Sequence, residues 1–206
     1  MMLFRMVGMW IALTTAFPLH AEVAQQFEAQ CVVCHGAQAQ GNPSLKAPAL
    51  AGQSAAYVQR QLKGFQSGWR GADDAIGQSM RAVVGSLSDQ DITALAEHVS
   101  SLAPLDSSNE ASDPALLKQG QTLYQSYCGS CHGSNAQGYE ALSTPNLALL
   151  DGEYLRRQYE LYLAGKRGSN RQDRLGRQMA MMARAVTDDA DIDAIIRFIE
   201  SLPLAQ

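Results

Sequence analysis

The chain has 206 residues, more than the usual size of one domain, so two small domains are the first expectation. Its 16 basic and 20 acidic side chains give a formal net charge of −4, which argues against a nucleic-acid partner. After the first residues, no apolar run is long enough to span a membrane, and the mature protein is expected to be soluble.

Residues 1–21 are predicted to be a secretory signal peptide. Arg5 lies in a short basic segment, the apolar stretch from Val7 to Leu13 follows, and cleavage after Ala21 is plausible. The stretch is too short to span a bilayer. The alternative is that the segment is retained as an anchor. We therefore expect export to the periplasm, with peripheral membrane association also open.

Two copies of a C-x-x-C-H motif account for all four cysteines of the chain. The first is Cys31-Val-Val-Cys34-His35, and the second is Cys128-Gly-Ser-Cys131-His132. This motif is typical of covalent attachment of haem c, because two thiols one helical turn apart can add to the vinyl groups while the imidazole reaches the iron. Attachment outside the cytoplasm agrees with export. The sequence predicts two haem c groups, held covalently by the four cysteines, with His35 and His132 as axial iron ligands.

Zinc binding and thioredoxin-like redox chemistry are weaker interpretations of the cysteines. Four-cysteine zinc sites place their two pairs about 15 to 20 residues apart, whereas 93 residues separate Cys34 from Cys128. A thioredoxin motif needs a βαβ context, and no strand-like alternation surrounds either pair.

The two halves of the chain are an internal repeat. Identical residues recur 97 positions apart, at Cys31/Cys128, Pro48/Pro145, Tyr57/Tyr154, Gln61/Gln158 and Arg70/Arg167. Near the end of each copy the spacing is 100, as at Ile92/Ile192. We expect the three extra residues of the second copy in the loop before its last helix. The predicted domains are 22–103 and 113–206, joined by a linker at 104–112 that is rich in proline, serine and acid.

Helix signals place the motifs within each copy. Asp113-Pro114 predicts the start of the opening helix of the second copy. The middle helices are expected at 57–65 and 153–163, and Ser88 to Asp91 forms a capping-box-like start to the last helix of the first copy. The prediction is an all-α protein of two domains, each with about three helices around a covalently bound haem.

Methionine is the expected sixth ligand of each iron. His98 lies off the apolar stripe of its helix and is expected in solvent. Met80 is expected in a polar loop before the last helix. In the second copy, Gly176-Arg-Gln-Met179 repeats the spacing of Gly77-Gln-Ser-Met80 and favours Met179, whereas counting back from the last helix ends at Ala180. Met181 and Met182 are therefore left open as ligands beside Met179.

The chain resembles the class I dihaem cytochromes c, and most closely the cytochrome c4 family, over nearly all of its mature length. The resemblance rests on the tandem motifs and on segments shared with that family, which are 48–57, Gln61-Leu62, Gly68-x-Arg70, Met80 before 87–92, and 113–120. It implies two cytochrome c domains with His/Met iron in each. Two positions depart from the pattern: Val23 stands where the second copy has Gly120, and 186–192 is one residue longer than its counterpart.

Filled axial positions indicate an electron carrier and not an enzyme. We expect a membrane cytochrome complex or quinol oxidoreductase as donor, and a terminal oxidase or reductase as acceptor. The alternatives are the dihaem subunit of a flavocytochrome c sulfide dehydrogenase-type complex, and a dihaem peroxidase or thiosulfate-oxidising enzyme. The basic stretch 156–184 is either a docking face, a set of haem-propionate partners, or an ordinary solvated surface.

Overall fold

The structure is a computed structural model that describes residues 19–105 and 113–204, with side chains described from Ala21 onward. Most of the predicted signal peptide and residues 106–112 of the predicted linker lie outside the described residues. The described backbone forms ten α-helices, three short 3-10 helices and no strand. The α-helices are α1 (Leu19–Gln30), α2 (Val32–His35), α3 (Ala55–Gln66), α4 (Ala75–Val84), α5 (Asp89–Ser101), α6 (Pro114–Tyr127), α7 (Gly129–His132), α8 (Gly152–Leu163), α9 (Arg174–Ala183) and α10 (Asp189–Glu200).

The two halves contain the same series of five helices. In each half a long opening helix leads into a one-turn helix at the C-x-x-C-H motif, and a middle helix and two further helices follow. This arrangement confirms the all-α prediction with two cytochrome-like domains. It corrects the expected number of about three helices per domain to five, because the one-turn helix at each motif and the helix that carries the methionine were not predicted. No helix in the described part of the chain is long and apolar enough to cross a membrane.

The helices α4 and α9 correct the sequence prediction, which placed Met80 in a loop. Glycine and serine made the segment look irregular, but Asp74 caps the start of α4 by accepting a hydrogen bond from the Gly77 N–H at 2.9 Å. In the second half Asp173 caps α9 in the same way, accepting from the Gly176 N–H at 2.8 Å. Both methionines proposed as ligands therefore lie on helices.

The opening and last helices of each half pack against each other to form the core. Phe27 of α1 lies in one apolar cluster with Ile92 and Val99 of α5, and Tyr124 of α6 lies in a second cluster with Ile195 of α10. Burial of such side chains is the main source of stability in each half.

The departure at Val23 from the expected glycine changes how closely these helices approach. A Cβ atom at Gly120 would clash with the backbone of Ala194, so α6 and α10 cross at a distance that only glycine permits. The corresponding residue of α1, Val23, has a side chain that is buried in the first apolar cluster.

The predicted helix starts are confirmed at two places. Asp113 caps α6, with Pro114 at the first helical position. Ser88 and Asp91 form a full capping box at the start of α5, in which each side chain accepts a hydrogen bond from the backbone N–H of the other residue. The predicted cleavage site after Ala21 falls within α1.

Candidate haem sites

The first site is a cavity of about 370 Å³ between α2, α3 and α4. The thiols of Cys31 and Cys34, the imidazole of His35 and the side chain of Met80 all line it. The end of α1 positions the motif, because the Cys31 N–H continues the helical pattern by donating to the Phe27 carbonyl, and the short helix α2 then carries Cys34 and His35. The lining is mainly apolar, which suits a porphyrin.

The second site repeats this arrangement in a cavity of about 180 Å³. Its lining includes Cys128, Cys131, His132 and Met179, in the same order along the chain. The structure thus brings together each set of predicted site residues, one set in each half.

Both histidines are oriented by a backbone carbonyl. The Nδ1 of His35 lies 2.9 Å from the Pro48 oxygen, and the Nδ1 of His132 lies 3.4 Å from the Pro145 oxygen. A ring that donates through Nδ1–H presents Nε2 as its ligating nitrogen. Burial lowers the pKa of both imidazoles, more than the carbonyl contact raises it. The imidazoles are therefore suited to bind a metal in their neutral form.

The helix caps give the structural equivalent of Met80 in the second half. Asp74 and Gly77 stand three residues apart at the start of α4, as do Asp173 and Gly176 at the start of α9. Counting three residues on from the glycine leads to Met80 in α4 and to Met179 in α9.

The expected position of the three extra residues is corrected by the same comparison. The N-caps of α4 and α9, Asp74 and Asp173, are 99 residues apart. This is two more than the repeat offset of 97, so two of the extra residues lie before α9. The caps of the last helices, Ser88 and Asp188, are 100 apart, so only one extra residue lies before α10. Met80 lies 12 residues before Ile92, and the same count back from Ile192 ends at Ala180. That count is one residue off because it leaves out the extra residue between α9 and α10.

The other two methionines of α9 are more exposed. Met181 is 65% exposed and lines neither cavity, and Met182 is 42% exposed at the edge of the second cavity. Met179 is half-buried and lines the same cavity as His132. The geometry therefore favours Met179 among the three.

The cysteines lack the features of a thioredoxin-type redox site and of a zinc site. All four are unpaired, and burial raises the pKa of the Cys31 thiol to about 11 and that of Cys128 to about 12. Reactive thioredoxin-type cysteines have lowered pKa values. In residues 19–105 and 113–204 no three His, Cys, Asp or Glu side chains are grouped as metal ligands.

His98 is not part of either site. It is half-buried on α5, where its ring lies 5.4 Å from the ring of Phe27, and it lines neither cavity. The expectation that it is solvated was therefore only partly right, because packing against α1 shields one face of the ring.

A cluster of buried polar side chains, which we call the interface network, joins the two halves. Arg70 donates to Gln61 at 2.6 Å within its own half and to the Tyr154 hydroxyl at 2.8 Å across the boundary. Arg167 donates to Gln158 in its own half and to Gln61 at 3.0 Å across the boundary. The repeat analysis found these residues as pairs, but it gave no sign that the two copies meet through them.

The interface network fits the carboxylates of a haem. Arg70 and Arg167 are 8% and 7% exposed, and neither forms an ion pair with a carboxylate among the described residues. Buried cations of this kind call for an anionic partner. In addition, the Nε atoms of Arg60 and Arg157 and the Nε2 of Gln61 are buried without a partner, and all three residues line the cavities. Haem propionates would supply the missing acceptors.

The basic stretch 156–184 is divided between several roles. Arg156 pairs with Asp193 at 3.0 Å within its own half, Arg157 pairs with Asp74 across the boundary, and Arg167 is buried. The remaining arginines, Arg171, Arg174, Arg177 and Arg184, are exposed. Together with Lys166, which is also exposed, these arginines are the basic side chains of the stretch that remain available to a docking partner.

Comparison with known proteins identifies relatives of both halves of the chain. The cytochrome c family model matches the chain twice, over 20–103 and 117–203. Cytochrome c4 of Azotobacter vinelandii is 30% identical over 88% of this chain and 89% of its own length. A protein of Thiomonas intermedia named thiosulfate dehydrogenase electron acceptor is 30% identical over 94% of this chain and 88% of its own. The crystal structure of reduced cytochrome c4 from Pseudomonas stutzeri matches with a TM-score of 0.71, at 29% identity, over 88% of this chain and 98% of that chain.

Proposed function

The chain belongs to the cytochrome c4 family of dihaem electron-transfer proteins, and from that premise we propose that it carries electrons in the periplasm. It has two cytochrome c domains and two haem c groups. The proposed donor is a membrane cytochrome complex or quinol oxidoreductase, and the proposed acceptor is a terminal oxidase or reductase. When bound, each haem supplies one-electron redox chemistry.

The observation that carries this proposal is that both axial positions have a candidate ligand in each cavity. We propose His35 and Met80 as the ligands in the first domain, with Cys31 and Cys34 as the covalent attachment points. In the second domain the ligands are His132 and Met179, and the attachment points are Cys128 and Cys131. A thioether ligand opposite a histidine raises the reduction potential. With both positions filled, no site is left for a substrate, which supports a carrier and not an enzyme.

The domain limits follow from the same proposal. We place the signal peptide at 1–21, the first cytochrome domain at 22–103, the linker at 104–112 and the second domain at 113–206. The separate apolar clusters of the two halves support this division.

Intact mass spectrometry of the mature protein tests attachment. We expect the mass of the chain from residue 22 plus two haems, and a protein with one haem or none would refute the dihaem assignment. Peptide mapping would then show a haem on each motif.

Methionine substitution tests the ligands. Met80→Ala and Met179→Ala should each remove half of the absorption band that marks methionine-bound ferric haem, and lower the potential of one haem. Met181→Ala and Met182→Ala are the matched controls and should leave the spectrum unchanged. A change in either control, with none in Met179→Ala, would mean that a different methionine of α9 is the ligand.

A second candidate is that the donor is a thiosulfate-oxidising enzyme. The similarity to the Thiomonas intermedia protein favours it, since that protein is named as the electron acceptor of a thiosulfate dehydrogenase. Stopped-flow mixing of the oxidised protein with a thiosulfate dehydrogenase and thiosulfate would test this donor. Reduction at a rate similar to that of a quinol oxidoreductase would support it, and no reduction would exclude it.

A further inference from the structure

Two ion pairs cross the boundary between the domains, and each one ends at a methionine-bearing helix. Arg60 of α3 lies 3.1 Å from Asp173, the N-cap of α9 in the other domain. Arg157 of α8 lies 3.3 Å from Asp74, the N-cap of α4 in the other domain. We call these the cross-domain pairs.

Each cap carboxylate serves its helix and the cross-domain pair through a single oxygen. The Oδ1 atom of Asp173 accepts from the Gly176 N–H at 2.8 Å and from Arg60 at 3.1 Å. The Oδ2 atom of Asp74 accepts from the Gly77 N–H at 2.9 Å and from Arg157 at 3.3 Å. The arginine therefore limits how far the cap, and the first helical turn that it holds, can move.

Burial makes these pairs stronger than ordinary surface contacts. The carboxylate side chains of Asp173 and Asp74 are 5% and 19% exposed, and those of Arg60 and Arg157 are 21% and 19% exposed. Solvent screens partly buried pairs less than exposed ones. Each guanidinium also lies over an aromatic ring of its own helix, Arg60 over Tyr57 at 5.8 Å and Arg157 over Tyr154 at 5.4 Å.

The two pairs are related by the internal repeat. Arg60 and Arg157 are 97 residues apart, and their partners are the equivalent caps of α4 and α9. Arg60 lines the cavity of the second domain, and Arg157 lines that of the first. Each domain therefore contributes one arginine to the lining of the other domain's cavity.

We propose that Arg60 and Arg157 are positioning residues that secure the sixth ligand of the haem in the opposite domain. The inference rests on the proposed function, in which Met80 and Met179 are the iron ligands. Each methionine lies six residues beyond its cap, in the second helical turn, so loosening the first turn moves its sulfur relative to the histidine that lines the same cavity. Ligand release at one haem is thereby controlled by the other domain.

The test uses the full-length holoprotein in which one haem has lost its methionine ligand by substitution. In a Met80→Ala background, the remaining methionine–iron absorption band belongs to the second haem alone. Adding Arg60→Gln should weaken that band and raise the affinity of the second haem for imidazole about fivefold, the effect expected from losing support at a helix cap. Lys63→Gln is the matched control, because Lys63 pairs with Asp89 within its own domain. It should leave both measurements unchanged.

The reciprocal experiment uses a Met179→Ala background, in which the band reports the first haem. Arg157→Gln should raise imidazole affinity there by a similar factor. Its neighbour Arg156 pairs with Asp189 and Asp193 inside the same domain, so Arg156→Gln is the control and should have no effect.

Asp173→Asn separates positioning from a simple change of charge. Asparagine is still a good N-cap, but it cannot form the ion pair. Positioning predicts that Asp173→Asn and Arg60→Gln both raise imidazole affinity at the second haem, and that Arg60→Lys restores part of the effect. Charge alone predicts opposite shifts of the potential in the two variants, with unchanged imidazole affinity, and that result would overturn the proposal.

The remaining outcomes are also decisive. If Met179→Ala opens the second haem but neither Arg60→Gln nor Asp173→Asn does, the ligand assignment stands and the cross-domain role is wrong. If Met179→Ala leaves the second haem closed, the ligand assignment fails and the cross-domain role fails with it. An effect of Arg60→Gln confined to the first haem would also refute it. Haem content and far-UV circular dichroism show that each variant is folded, and Asp173→Asn provides the test if Arg60→Gln does not fold.

Discussion

Gln53→Ala should weaken the docking of the two domains. Gln53 is 1% exposed, and its amide makes two hydrogen bonds to one residue of the other domain. Its Nε2 donates to the Asn146 carbonyl at 2.7 Å, and its Oε1 accepts from the Asn146 N–H at 3.0 Å. The repeat equivalent of Gln53 is Leu150, so this contact occurs once.

The size of the effect follows from these two bonds. A hydrogen bond contributes about 1 kcal/mol net, and a buried group left without its partner costs about 1 to 3 kcal/mol. Losing both bonds and leaving the N–H and carbonyl of Asn146 unsatisfied should lower the free energy of unfolding by about 2 to 4 kcal/mol. With a urea m-value of about 2 kcal/mol/M, the midpoint should fall by about 1 to 2 M.

Urea unfolding of the holoprotein, followed by circular dichroism, measures this shift, and amide exchange of the peptide containing Asn146 locates it. Gln66→Ala is the matched control, because the Gln66 amide donates to the carbonyls of Val84 and Leu87 within the first domain. That control should destabilise the protein without faster exchange at Asn146. If Gln53→Ala shifts the midpoint no more than a typical surface substitution, about 0.5 kcal/mol or less, the two bonds do not hold the domains together.

Three further substitutions test the packing and the helix caps. Gly120→Val should destabilise the second domain by about 3 kcal/mol, because the new side chain meets the backbone of Ala194; thermal unfolding measures this, with Gly85→Ala at an exposed helix end as control. Tyr159→Phe removes a hydroxyl that donates to the carbonyl of Ala183, the last residue of α9, at 2.9 Å and to that of Val186 at 3.0 Å. This change should cost about 1 to 2 kcal/mol in denaturant unfolding; no loss would mean that water replaces the hydroxyl. Ser88→Ala should cost about 1 kcal/mol and speed amide exchange in the first turn of α5, and unchanged exchange would contradict the capping box.

The amino-acid sequence was sufficient for the features that depend on short stretches of chain. The two C-x-x-C-H motifs bring their thiols and imidazole together within one helical turn, so the spacing alone predicted the haem groups. The cap at Asp113 and the capping box at Ser88 are also local, and the structure has both. The repeat predicted two domains, and the helix signals within each copy predicted an all-α fold, without any knowledge of tertiary contacts.

Tertiary structure decided the register of α9 and the relation between the domains. Polar residues around Met80 suggested a loop, and only the cap at Asp74 and packing against the cavity show that this segment is helical. Likewise, a fixed offset could not show where the second copy had gained its residues. Arg60 and Asp173 are 113 residues apart along the chain, so whether they meet depends on how the two domains are oriented. Contacts of that kind arise from the packing of whole surfaces, and no local pattern of residues records them.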